Sequence, residues 1–522
     1  MMHLVRTLLR AINRNTNTTA SKCLPVADAP VARTPLRAFC KPCKLRGLPF
    51  YRALRASLLC TMLSACVIGP RFSLPQAAVP ARFAAAPENA PPQWPSRDWW
   101  HKFGSPDLDR LITEAEAHNF SIRIAVAQLQ AANAQARIAG APLLPSLGAN
   151  ASATDQRYGS RVVVSGVPAG TINTHQFAAS LGVSYELDFW GKNRDALRAA
   201  EANAAASRFN RDTVALTAVS AVATTWFQIL ADRDVLSIAK RNLAAAEGLL
   251  AQLRAQLRAG IVNAGTVAQQ AALVAGERAT IPSLQSQLRQ LEIALGILVG
   301  KPPEMLKLMP ASLDTLHVPT LMPGLPSALL TRRPDIAQAE ATLIAANANV
   351  RGAIAAYFPS ISLTGSGGWQ STALNGLFTP GSELLSAAAS LAQPLFEGGA
   401  LSGQLAVSRA AYRQDVALYE QATVKAFSDV ETALTALHFA TEQEREEQIA
   451  VGRAAIALAA VEAQLNAGTV SIGSVLTAQQ TLLGDQNTLE QARLARFLAA
   501  VNLYEALGGG WQAPTQSLLV GG

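Results

Sequence analysis

The sequence predicts a mainly α-helical fold with a β-barrel portion, written twice in tandem along a chain of 522 residues. Three observations lead there. A set of short words recurs in order, about two hundred residues apart. Segments of apolar–polar alternation lie in corresponding places of the two copies. Each is followed by about seventy proline-free residues with helical spacing, which would form a helix about 100 Å long.

Composition supports thin, closely packed helices rather than a thick core: half the chain is apolar, yet aromatics make up only 6%. The formal charge of +8 invites a nucleic-acid or membrane-surface reading. Its distribution argues against that. Residues 1–65 hold eleven Lys/Arg and one acid, Asp28, leaving 33 basic and 35 acidic residues for the remainder.

Residues 1–65 are expected to be a leader. Lys41, Lys44, Arg46, Arg52 and Arg55 form a basic region, and Ala56 to Leu63 a short apolar run. That run is too short to span a bilayer. Leu63-Ser64-Ala65-Cys66 then reads as a lipobox, with cleavage between Ala65 and Cys66 and lipid on Cys66. Cys23, Cys40, Cys43 and Cys60 precede Cys66 and no cysteine follows it. A mature chain starting there has no thiol for a disulfide or a metal. Cys40-Lys41-Pro42-Cys43 lacks a second pair or a His partner. Because the lipobox lies so deep, the functional leader is expected to begin near Leu45 or Leu48, at a non-Met start codon, with residues 1–44 not made or not needed.

The repeat is clearest in RAQLRAGIV (254–262) and EAQLNAGTV (462–470). VAQQAALVAGE (267–277) pairs with LTAQQTLLGDQ (476–486), LPS (144–146) with FPS (358–360), and LDFWG (187–191) with PLFEG (394–398). Copy one, 105–300, opens on Ser105-Pro106-Asp107, an N-cap with proline in the first turn and an acid at the positive helix end. Its helix breaks near Asn119, restarts at Ser121 and stops at Pro142 and Pro145. Copy two, 327–510, opens its helix on Arg332-Arg333-Pro334-Asp335 and ends it before Pro359.

Strands follow, at about 146–156 and 175–188 in copy one and 360–369 and 384–395 in copy two. Phe177, Ala179, Leu181, Val183, Tyr185 and Leu187 fall on one face; Ala178, Ser180, Gly182, Ser184, Glu186 and Asp188 fall on the other. A sheet over a soluble core fits this pattern. So does a membrane barrel with lipid outside and water within. Residues 157–174 and 370–382, rich in Gly, Ser, Thr, Pro and Asn, are expected to be exposed loops.

The long helical hairpins come next, with turns near Gly260 and Gly468, where glycine allows positive φ. In copy two Val416, Tyr419, Thr423, Phe427, Val430, Leu434 and Leu437 keep the three–four spacing. Val214–Ala231 has no charge but carries Thr, Ser and Gln, so a helix buried by other helices explains it better than a membrane span.

Several stretches carry a family resemblance: Cys66-Val67-Ile68-Gly69-Pro70-Arg71-Phe72 with Pro75, Trp99-Trp100 and Phe103, LPSALLTRRPDIAQAEATLIAANANV (325–350), YFPSISLTG (357–365), PLFEGG (394–399) and YEQATVKAFSDVETAL (419–434). From Cys66 to Trp511 the chain resembles the outer-membrane efflux lipoproteins, the NodT/OprM branch of the TolC-like channel family. The resemblance implies a homotrimer with a twelve-stranded outer-membrane barrel, continuous with an α-helical barrel crossing the periplasm. It implies an equatorial belt formed by 66–104, by the linker 301–326 and by the C-terminal tail, 511–522. It also implies a periplasmic adaptor and an inner-membrane, RND-type pump as partners. The periplasmic entrance would lie at Gly260 and Gly468. Its family carboxylates fall here on Ser474 and Thr477, so closure would rest on hydroxyls, backbone, or apolar residues such as Val470, Ile472 and Val475.

The function expected is a passive exit duct for drugs or other toxic small molecules. The alternatives are a duct for metal ions or secreted proteins, or a non-conducting lipoprotein scaffold. No P-loop, G-x-S-x-G or clustered His/Glu pair points to an enzyme. The six histidines, His3, His101, His118, His175, His317 and His438, are scattered. No catalytic residue, metal or cofactor is expected, beyond a covalent, palmitate-type lipid on Cys66. Ser180, Ser184, Glu186 and Asp188 are expected to face the barrel lumen.

Overall fold

The computed structural model describes residues 68–76, 78–85, 94–158, 163–164, 167–168, 172–321 and 323–513, all within one compact unit, Ala65–Gly522. Residues 1–65, Cys66 and the end of the tail from 514 lie outside the described residues. So do the expected cleavage point and lipid site.

The first copy opens with α1 (Pro106–His118) and α2 (Phe120–Gly140). The Ser105 hydroxyl accepts from the Leu108 amide as the N-cap of α1, and also from the Trp226 indole N–H at 3.0 Å. Asn119 separates the two helices by doing two jobs. Its carbonyl oxygen caps α2 through the Ile122 amide, and its amide donates to the Leu298 carbonyl at 2.6 Å. The second copy opens with α5 (Pro334–Ala355). Between the strands and the turns run α3 (Lys192–Arg258) and α6 (Ala400–Asn466), each 67 residues long. α4 (Ala264–Val299) and α7 (Ile472–Ala506) return from the turns.

Six strands occur among the described residues: β1 (Ser146–Tyr158), β2 (Val163–Val164), β3 (Val167–Pro168), β4 (Ile172–Leu187), β5 (Ser360–Ser371) and β6 (Glu383–Ala392). Four make one antiparallel sheet in the order β1-β4-β5-β6, and β2 pairs with β3. Half of the segment expected as an exposed loop, 157–174, is therefore paired, as seen among the described residues. The β1–β4 ladder runs on to Tyr158 opposite Ile172, and Val163 and Val164 pair with Pro168 and Val167 in a separate two-stranded sheet. β6 stops before Pro394, which has no amide to give the ladder.

The main core lies where the copies meet. Trp99 stacks on Tyr504 with ring centroids 4.7 Å apart, Phe103 meets Phe227 at 5.1 Å, and Phe227 meets Phe497 at 4.9 Å. The uncharged stretch 214–231 supplies Val219, Val222, Ala223, Trp226, Ile229 and Leu230 to this core. The linker adds Leu313 and Leu321.

Ionic contacts surround the core. Arg333 pairs with Asp335 and Asp429 and donates to the Ala506 carbonyl, joining α5, α6 and α7. Asp107 accepts from the Met309 amide, and Asp234 from Ser312 Oγ and the Leu313 amide, which fixes the linker against α1 and α3. On α7, Arg493 pairs with Glu490 and with Asp314, and reaches Glu444 on α6, which Arg496 also holds.

Burial pushes the Glu490 carboxyl from 4.5 up to about 7; Arg493 opposes this, while Asp234 and Asp314 add to it. The folded chain therefore binds more protons than the unfolded chain between those values. Stability present near pH 4.5 is lost as pH rises through about 7. Thermal unfolding of the wild type, compared near pH 5 and near pH 8, should show a loss that Glu490→Gln lacks, of up to about 3 kcal/mol per chain. Equal pH dependence in both proteins would contradict this assignment.

Candidate functional site: the sheet face, the helix junction and the periplasmic turns

Register gives the sheet two chemically distinct faces. Ser180 stands opposite Asn150 and Gly368, Gly182 opposite Gly148 and Ser366, and Ser184 opposite Ser146 and Thr364. Glu186 pairs with Ser362. The face continues into β6, where hydroxyls meet across the ladder: Ser362 with Ser390 at 2.7 Å, and Ser366 with Ser386 at 2.8 Å. On the opposite face Leu181 pairs with Ala149, Val183 with Leu147, and Tyr185 with Leu363. The polar parities of all four strands thus coincide, giving one surface made mostly of small and polar residues.

Asp188 does not continue that face. β4 ends at Leu187, and the Asp188 carboxylate turns back over the start of α3. It accepts from the Asn193 and Arg194 amides at 3.1 and 2.8 Å and pairs with Arg194 Nε at 3.1 Å. An acid satisfying free amides at a helix N-terminus is a strong local arrangement. This corrects the lumen-facing assignment of Asp188. Glu186 remains on the strand, 3.8 Å from Lys192 Nζ. Beside this junction Trp190 stacks on Phe358 and donates to the Pro359 carbonyl at 2.7 Å.

At the far end the two turns are near copies. Gly260 and Gly468 have φ of 74° and 71°, a conformation open to glycine. The Ile261 amide donates back to the Gln256 carbonyl at 2.9 Å, and the Thr469 amide to Gln464 at 3.0 Å. They differ just beyond. Asn263 caps α4 through the Thr266 amide, whereas Ser471 makes no side-chain cap on α7. Ser474 and Thr477 are both exposed, and Val470 is half-buried. The Thr477 hydroxyl donates to its own helix, at the Gly473 carbonyl.

Ile472 and Val475, expected as partners in closure, are committed elsewhere. With Leu253 of α3 they form a small buried cluster, supported by Leu249, Val262, Val461 and Leu465. Leu253 was not singled out by its sequence, although it keeps helical spacing with Leu250 and Leu257. The cluster ties the two copies together at the tip, as the aromatic core does at the middle.

A model of the family described as "Outer membrane efflux protein" matches residues 111–301 and 325–509. The chain belongs to the outer membrane efflux protein family. It is 37% identical over 461 residues to the pyoverdine export outer membrane protein OpmQ of Pseudomonas aeruginosa, covering 88% of this chain and 97% of that one. It is 31% identical over 472 residues to the cation efflux system protein CusC of Escherichia coli, covering 90% and 100%. The solved open-state MtrE outer membrane channel of Neisseria gonorrhoeae matches with a TM-score of 0.76 at 30% identity, over 87% of this chain and all of the other.

As an outer membrane efflux protein, the chain is a channel of the outer membrane that reaches into the periplasm and works as a homotrimer with a periplasmic adaptor and an inner-membrane pump. The TolC-like fold explains why, among the described residues, one chain holds four barrel strands, with free edges on β1 and β6. Three copies remove those edges by closing a twelve-stranded barrel.

Leu253→Ala should empty the tip cluster and cost about 2–4 kcal/mol locally. Hydrogen exchange in the purified trimer is expected to quicken over 249–262 and 465–477 while the equatorial core keeps its protection. Unchanged exchange at the tip would show that Leu253 does not hold the two hairpins together.

Proposed function

We propose that this efflux channel is the exit duct for small molecules, drugs or other toxic compounds, loaded by an RND-type pump through the adaptor. The observation that carries this is the continuous hydrated sheet face, with Ser180, Ser184 and Glu186 toward the lumen. Small hydroxyls and glycines give a wet wall without a binding pocket, as a duct requires. The named activities of OpmQ and CusC, pyoverdine export and cation efflux, span quite different cargo on one architecture. Cargo choice therefore rests mainly with the pump.

In the proposed organisation, 1–65 is the leader and 66–104 the lipidated equatorial segment. Residues 105–300 and 327–510 are the efflux repeats, 301–326 the equatorial linker, and 511–522 the tail. Cleavage between Ala65 and Cys66 leaves an acylated Cys66 as a supplementary anchor. Support comes from the next described residues. Gly69 packs against the Arg351 side chain, and Arg351 pairs with the buried Asp195 at 3.0 Å, one turn into α3. This contact supports a mature chain that begins beside the base of the barrel.

The entrance lies at the turns around Gly260 and Gly468, and closes without the family's carboxylates. Ser474 and Thr477 offer hydroxyls instead, with Val470 beside them. Planar-bilayer recordings of the Ser474→Asp/Thr477→Asp trimer should show raised cation selectivity and block by multivalent cations. Behaviour identical to wild type would remove both residues from the constriction. Labelled palmitate should enter the wild type and not Cys66→Ser; equal labelling of the two would sink the anchor assignment.

A further inference from the structure

The helix tips carry a sparse and uneven set of charges. From Leu249 to Gly276, across the first turn, the ionisable side chains are Arg254 and Arg258 alone. From Ala454 to Gly484, across the second, Glu462 is alone. Both arginines are exposed, and among the described residues neither joins an ion pair or a side-chain hydrogen bond.

Their placement is defined by the packed residue beside them. Leu253 is buried against Ile472 and Val475 of α7, and Ser474 lies exposed between those two. Arg254 follows Leu253 directly, so Arg254 and Ser474 occupy adjoining helices at one level of the tip. Arg258 lies one helical turn nearer Gly260 on the same side of α3. Like charges at this spacing repel, and no acid of the hairpin relieves them. Such a pair stands open to an anion from outside the chain.

We propose that Arg254 and Arg258 set the ionic preference of the periplasmic entrance, drawing in small anionic cargo that carries carboxylate groups. This rests on the exit-duct reading. Threefold symmetry brings six guanidinium groups to the mouth, against three Glu462 carboxylates. Guanidinium holds a carboxylate by two parallel hydrogen bonds, and it stays charged at every working pH. The uncharged neighbours Ser474 and Thr477 leave that field unopposed. At physiological salt it acts over about 8 Å, enough to enrich anions at a narrow mouth without trapping them.

Two measurements test the assignment. In planar bilayers under a tenfold potassium chloride gradient, the wild-type trimer should favour chloride over potassium about threefold, and R254Q/R258Q should bring the ratio to about one. Calorimetry with inositol hexakisphosphate on the detergent-solubilised trimer needs no open channel. It should show binding that weakens at least about tenfold in the double variant. Cation preference in the wild type, anion preference surviving the double substitution, or unchanged polyanion binding would each overturn the proposal. So would loss of export in cells with selectivity intact, which would assign the arginines to adaptor docking. A trimer that binds the polyanion through these arginines yet never conducts would strike the duct reading and leave the anion site standing.

Discussion

The structure depends on the aromatic contact between its two halves. Each copy alone is a strand pair and a helical hairpin too thin to bury a core of its own. Trp99, Phe103 and Phe227 from the first half and Phe497 and Tyr504 from the second supply that core at one place. Burying aromatic side chains of this size contributes several kcal/mol, and their stacked and tilted geometry adds to it. Around this site the linker is held by Asp107 and Asp234, and the second copy by Arg333. With the middle fixed, the strands and the turns can extend in opposite directions with little support of their own.

Much of this could be read from residues. The alternation over 177–187 defined a strand because its period is two, and the paired turn words located both tips. The cap at Ser105 was visible because an acceptor, a proline and an acid stood in the order a helix start requires. Asp188 was harder. By parity it belongs with Ser180 and Ser184, and parity says nothing about where the ladder ends. The signal lay downstream: Gly191 and Lys192 open a helix whose free amides attract the nearest acid. Ile472 and Val475 were misplaced for a related reason. Apolar residues near a mouth fit closure and hairpin packing equally well in one dimension, and only Leu253, some two hundred residues earlier, separates the two. The Glu490–Arg493 spacing is helical and legible; Glu444 and Asp314 reach it from elements the sequence does not connect.

Polar groups are used differently along the molecule. The sheet face relies on serine, threonine and glycine, which hydrate readily and hold no cargo tightly. Around the core, largely buried groups such as Arg333, Arg493 and Glu490 are paired, so removing a partner leaves them stranded. At the tips charges are few and, among the described residues, unpaired, so each acts unopposed within its screening length. Three electrostatic regimes thus follow one another along a single chain: neutral and wet, dense and locked, sparse and open.

The two long helices, α3 and α6, are each 67 residues. Inserting one residue in either would lower its tip by about 1.5 Å and swing it by about 100°. The tips would no longer lie in one plane, and the cluster joining Leu253 to Ile472 and Val475 would come apart. Insertions and deletions in these helices are therefore tolerable only as matched events, made in both copies or by whole turns. The duplication that built the protein also restricts how its length can evolve.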